Sequence, residues 1–255
     1  MKKIVYLLLF LCFAVGSPAL ALDSTVYVSP APLGLFSTSS TDTPGFNEYY
    51  IGFGMERAEN PDYYRYTLSV AYGVSEKLEL GLNLPYIKDE LNSPEDMRLA
   101  LKYRVFGKGR NAFSGGYMFT ISPSWESDDY SAGGSYGSAI LATKRLGPFK
   151  GLANLHFRKY WDQDFDDELR FMAGFIFSAS RELDVLAEYY SIKRQSDDTP
   201  FLSEARFGYR FSSDHDLYAS VGVGVGLNEP SPSYRLLGSL SYILPNDGIK
   251  YLDEE

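Results

Sequence analysis

Thirteen ionisable side chains recur in this chain within short segments whose other residues are apolar or small: Arg65, Glu79, Arg98, Lys102, Arg104, His156, Arg158, Arg170, Glu188, Glu204, Arg206, Arg210 and Arg235. Successive residues of a strand point to opposite faces, so a charge that alternates with apolar neighbours lies on the face those neighbours avoid. On that face nine bases (Arg65, Arg98, Lys102, Arg104, Arg158, Arg170, Arg206, Arg210, Arg235) meet eight acids (Glu48, Glu56, Glu79, Asp96, Glu168, Asp184, Glu188, Glu204). Two chemistries suit such a surface. Opposite charges can pair across neighbouring strands and brace a wall, because a lone charge in a confined space is costly. The same charges can instead form a solute-selective constriction. The near-balance of signs favours bracing, with the constriction as the alternative.

Catalytic chemistry has little to stand on. His156 and His215 are the two histidines, and a general base needs a nucleophile and an orienting acid within reach. His156 has Arg158 two positions along its own face, and His215 falls in a turn at 212–216. No enzyme activity is expected. Asp162, Asp164, Asp166, Asp167 and Glu168 superficially suggest a calcium loop, but the sixth position is Asp167 where a glycine is required and the twelfth is Ala173. The stretch reads as a solvated loop, with loose cation bridging to lipopolysaccharide as the alternative; no metal centre and no cofactor are expected. Cys12, the one cysteine, lies in the leader described below.

The elements that must position these side chains are strands. Tyr64, Tyr66, Leu68, Val70 and Tyr72 alternate with Arg65, Thr67, Ser69 and Ala71, and Leu78, Leu80, Leu82, Leu84 and Tyr86 alternate with Glu79, Gly81 and Asn83. The pattern predicts twelve strands, at 47–56, 64–72, 78–86, 96–105, 113–125, 135–146, 151–161, 169–177, 183–191, 204–211, 217–227 and 234–244. In the sixth, Lys144 can face either way. Turns near Gly73, Gly107, Gly147, Arg181 and Ser212 form one set; connections near Asn60, Asn92, Asp128, Asp164, Asp197 and Glu229 form a second, more acidic set. Aromatic residues at segment ends, among them Tyr63, Tyr86, Trp125, Tyr130, Tyr160, Trp161, Tyr190, Phe201, Phe211 and Tyr242, suit a membrane interface.

Residues 1–21 combine Lys2 and Lys3, an apolar stretch and the small-x-small sequence Ala19-Leu20-Ala21, as a secretory signal peptide does. Residues 22–45, with Pro30, Pro32 and Pro44, read as an irregular N-terminal arm, residues 46–244 as one barrel domain and residues 245–255 as an acidic tail. The formal net charge of −9 argues against a nucleic-acid partner. After the leader no apolar run approaches the roughly 20 residues of a spanning helix. A soluble sandwich would carry Lys, Glu and Thr on its second face, whereas here that face is crowded with Gly, Ala and Ser plus scattered charge. The fold class expected is all-β: an antiparallel up-and-down transmembrane β-barrel of about 12 strands.

The segments YGVSEKLELGLNLPYI at 72–87, DMRLALKYRVF at 96–106, FSASRELDVLAEYY at 177–190 and FGYRFSSDHDLYASVGVGVG at 207–226 resemble the outer-membrane transporter-like family named for the MetA pathway of phenol degradation. The resemblance covers most of the mature chain. It implies uptake of hydrophobic aromatic solutes and supplies no catalytic residues. One departure is that an acidic tail follows Leu244, where many outer-membrane barrels end on an aromatic residue.

The reading is therefore a passive channel for small solutes in the outer membrane of a Gram-negative bacterium, with the arm narrowing its lumen. Outer-membrane lipid, lipopolysaccharide, a small-molecule solute and the barrel-assembly machinery are its expected partners. The alternative is a closed structural or surface-binding barrel; a barrel enzyme acting on lipid is the least favoured.

Overall fold

Alternating segments cannot bury their apolar face on themselves, and in the computed structural model they close into a ring. The residues described are 27–60, 62–88, 96–107, 112–123, 134–162, 166–194, 201–213 and 216–244. The expected leader at 1–21, residues 22–26, Asn92, Trp125, Asp128, Tyr130, Asp164, Asp197, His215 and residues 245–255, read as an acidic tail, lie outside them. The described residues form twelve strands: β1 (Tyr49–Glu59), β2 (Tyr63–Ser75), β3 (Leu78–Lys88), β4 (Arg98–Phe106), β5 (Phe113–Pro123), β6 (Gly134–Leu146), β7 (Phe149–Tyr160), β8 (Glu168–Ser178), β9 (Leu183–Arg194), β10 (Leu202–Ser212), β11 (Leu217–Gly226) and β12 (Tyr234–Leu244). Each pairs antiparallel with the next, and β12 returns to β1 from Tyr49↔Leu244 to Glu59↔Tyr234, leaving no open edge.

The two faces differ as the period requires. On β4, Leu99, Leu101 and Tyr103 are exposed on the outside while Arg98, Lys102 and Arg104 are buried; on β11, Val221, Val223 and Val225 face outward. Exposed Phe119, Phe157, Phe171, Phe207 and Tyr209 continue the apolar band around the ring. Such a band is what hydrocarbon requires of a spanning barrel.

Several boundaries move for identifiable reasons. Asn47 has a left-handed backbone (φ 65°), so β1 begins at Tyr49 and Glu48 leaves the inner face; its carboxylate instead accepts the Gly45 N–H at 2.7 Å. Asp96 precedes β4 rather than lining the wall. Gly73 is not the turn: β2 continues to Ser75 through an irregularity in its pairing with β3, and the Gly73 carbonyl accepts the Asn47 N–H. Lys144 faces outward, opposite Phe113 of β5.

Residues 27–45 occupy the interior. Tyr27 packs among Ala100, Met118, Ala139 and Leu141; Leu33 meets Tyr50, Ala71 and Ile243; Leu35 and Phe36 meet Leu152, Ile176 and Leu186. The Phe36 ring lies over Gly208 and Gly222, where a Cβ on Gly208 would come within 2.7 Å of it. Glycine there admits the arm to the wall.

Replacing Val223, outward-facing in mid-β11, by Arg should destabilise the folded barrel by roughly 2–4 kcal/mol in lipid vesicles. The check is urea unfolding followed by the heat-modifiable gel shift, with Ser220→Thr on the inner face as the contrasting mild change.

Candidate functional site: a charged lumen crossed by the arm

Every one of the thirteen candidate side chains is buried within the ring. Strand register decides most of their meetings, while Glu204–Arg206 and Glu168–Arg170 meet as i, i+2 neighbours on one strand. Toward the end of the barrel where β1, β9 and β11 finish, Glu56 accepts from Tyr63 Oη at 2.7 Å and Arg65 at 3.2 Å, and also from Arg235. Arg235 Nε bonds Glu204 at 2.9 Å, and Glu204 takes Arg206 as well, at 3.0 Å. Arg206 continues to Glu188 at 3.6 Å and stacks over Tyr190, 4.4 Å from the ring centre. Tyr190 in turn accepts from Arg170, which is paired with Glu168. Arg158 donates to Ser135 at 2.8 Å. These contacts make a lattice running from β1 around to β8 through β12, β10 and β9.

Lower in the lumen stands a second pair. Lys102 and Glu79, neither with any exposure, lie 2.6 Å apart, and Glu79 also accepts from Tyr27 Oη and Ser29 Oγ, both at 2.7 Å. Burial, reinforced by the neighbouring Glu79 charge, pushes the Tyr27 phenol well above its ordinary pKa, so Tyr27 remains a neutral donor. Arg104 donates to the Glu76 carbonyl, and Arg98 is buried beside Asn83 in the register. His156 sits between Ala139 and Arg170, with its Nε2 buried and unbonded among the described residues.

The arm is tied to this wall along its length. Glu188 accepts the Ser37 N–H at 3.0 Å while Arg206 donates to the Ser37 hydroxyl; Arg210 donates to the Gly34 carbonyl; Asn154 donates to the Ser39 carbonyl at 3.0 Å. Thr41 bonds Thr143 and Ser114. Asp42 is clamped by Arg145 at 2.6 Å and Lys150 at 2.7 Å. Burial alone would raise the Asp42 carboxyl, but Lys150 and then Arg145 outweigh it and hold its pKa well below the usual carboxylate range.

The arm does not fill the lumen. Beside the β12–β1–β2 seam a cavity of about 140 Å³ remains, where the inward residues are Gly52, Gly54, Thr67, Ser69, Ser239 and Ser241.

Three aromatics placed by their sequence positions in an interfacial belt face the interior: Tyr63 and Tyr190 are buried and hydrogen-bond into the lattice, and half-buried Tyr160, on the Arg158 face of β7, lies with its ring centre 4.9 Å from the Arg158 guanidinium. Tyr63 shares parity with Arg65 and Tyr190 with Glu188, the signal that could have placed them. Tyr86, Trp161, Phe201, Phe211 and Tyr242 do face outward. The arm's contribution through Tyr27, Ser29 and Ser37 had no periodic signal at all.

No protein-family model and no curated protein sequence matches the chain. Solved structures do match in fold. An outer-membrane channel from Pseudomonas putida F1 superposes with a TM-score of 0.62 at 11% identity, covering 80% of this chain and 98% of that one. The NanC porin does so with a TM-score of 0.56 at 11% identity, covering 76% and 98%. The chain thus has the fold of outer-membrane barrels.

Lys102→Met should cost roughly 3–5 kcal/mol, because it strands the Glu79 carboxylate in the wall. The double variant Glu79→Gln/Lys102→Met should recover most of that, as read by urea unfolding in vesicles. The Asp42 clamp has a definite pH sign. A carboxyl whose folded pKa is depressed stabilises above its unfolded value and loses that contribution as pH falls toward the folded value. Limited proteolysis of the arm should therefore be unchanged between pH 7 and pH 5 and rise only in stronger acid. Asp42→Asn should abolish that acid dependence at a cost of about 1 kcal/mol at neutral pH.

Proposed function

We propose that the protein is a passive channel for small solutes in the outer membrane of a Gram-negative bacterium, its lumen narrowed by its own N-terminal arm. One observation carries the reading: an apolar outer wall surrounds a polar interior in which the arm leaves a cavity along the β12–β1–β2 seam. The likeness in fold to a channel and a porin supports it. Its surroundings are then outer-membrane lipid and lipopolysaccharide, reached through the barrel-assembly machinery. The resemblance to the phenol-degradation family suggests hydrophobic or aromatic solutes, whereas the arginine, glutamate and hydroxyl groups of the wall favour polar ones.

The second reading, a closed structural or surface-binding barrel, draws support from the density of bonds between arm and wall. An enzyme acting on lipid is least supported. His156 is buried in the wall between Ala139 and Arg170, away from any lipid surface.

Planar-bilayer conductance and liposome swelling separate these readings. The intact protein should pass small currents, and removal of residues 27–45 should raise conductance several-fold while the heat-modifiable shift is kept. Unchanged conductance on deletion would refute the arm as the constriction. A barrel that stays silent both intact and truncated would favour the structural reading.

A further inference from the structure

The cavity beside the seam is built from one row of the wall that lacks large side chains. Reading across the register at one depth, Arg210 is followed by Ser220, Ser239, Gly54 and Thr67. The adjacent row runs Ser241, Gly52, Ser69 and Asn83, with buried Arg98 of β4 next beyond it. At other depths the same strands carry Glu56, Arg65 and Arg235. The small residues are thus bracketed by a guanidinium at one side and a carboxamide at the other.

Both brackets are underused. Arg210 is buried and donates to Ser220 Oγ at 3.4 Å and to the Gly34 carbonyl, and among the described residues no carboxylate lies within ion-pair distance of it. Asp184 faces it across the β9–β10 pair, beyond that distance. The other arginines on the cavity are committed, Arg65 to Glu56 and Arg206 to Glu204 and Glu188. Asn83 is almost wholly buried, and its Oδ1 has no hydrogen-bond partner among the described residues. A buried guanidinium with no carboxylate in ion-pair contact, and a buried carbonyl with no donor among the described residues, are both costly unless something supplies the missing group.

We propose that this cavity is a binding site for a small hydroxylated carboxylate on its way through the lumen. The carboxylate meets the free donors of Arg210, whose planar fork suits it. The ligand's hydroxyls donate to Asn83 Oδ1 and exchange hydrogen bonds with Ser69, Ser239 and Ser241. A volume of about 140 Å³ accommodates a molecule of about six or seven non-hydrogen atoms. As a permeation subsite the inference rests on the channel reading; as a binding site it does not.

The test uses the folded full-length barrel and three probes of similar size: glycerate, propionate with the charge alone, and glycerol with the hydroxyls alone. Binding is read by saturation-transfer NMR and permeation by liposome swelling. Glycerate should bind more tightly than either of the others, and Arg210→Gln should weaken it about tenfold, with Arg210→Lys recovering part. Gly54→Leu keeps the arginine but fills the space, since a Cβ there has no neighbour closer than 3.9 Å; it should abolish glycerate binding. Equal binding of the three probes, or glycerate binding indifferent to both variants, overturns the site and leaves the channel standing. Arg210-dependent binding without swelling upholds the site and overturns the channel.

Discussion

Backbone N–H and C=O groups cannot be left unpaired in hydrocarbon, and the remaining features of this fold depend on that constraint. It forces β12 to close on β1, although the two strands are separated by nearly the whole described chain. Closure assigns each residue of a strand to lipid or to lumen by parity alone. Everything polar that the strands carry is then concentrated in a narrow interior, and that interior must be satisfied internally.

Two devices satisfy it. The arginines and glutamates neutralise one another along and across strands, with Glu56, Glu204, Glu188 and Glu168 each shared by or paired with buried guanidinium groups. A buried pair adds little net stability over an apolar substitute, yet removing one partner is severe, so such a lattice defines a register more than it strengthens a fold. The arm occupies much of the rest, offering backbone carbonyls of Gly34 and Ser39 and hydroxyls of Ser29 and Ser37 where the wall has donors to spare. Glycines at 81, 208 and 222 admit its aromatic rings. The seam of Gly52, Gly54 and their serine and threonine neighbours is the part of the wall that it leaves open.

Much of the fold was legible because parity is a local property. Val221, Val223 and Val225 against Gly222 and Gly224, or Leu99 and Leu101 against Arg98 and Lys102, show a lipid face and a lumen face without any knowledge of neighbours. Weak alternation left Lys144 undecided, and tertiary pairing with Phe113 placed it outside. Gly73 looked like a turn since glycine punctuates turns, but its carbonyl receives the chain entering β1. Tyr63 and Tyr190 looked interfacial by position along their strands, and their hydroxyls instead belong to the charge lattice.

The sequence by itself determined the strands, their two faces and hence, apart from Glu48 and Asp96 before strand starts, the inward side of the wall's charges, because the two-residue period of an extended backbone needs no tertiary information. It did not contain the partners. Arg235 meets Glu56, and Arg206 meets both Ser37 and Glu188, only through registers accumulated around the ring and through an arm with no periodicity to read. The emptiness beside Gly54 was likewise decided by the tertiary structure, since a cavity depends on what the opposite side of the lumen fails to reach.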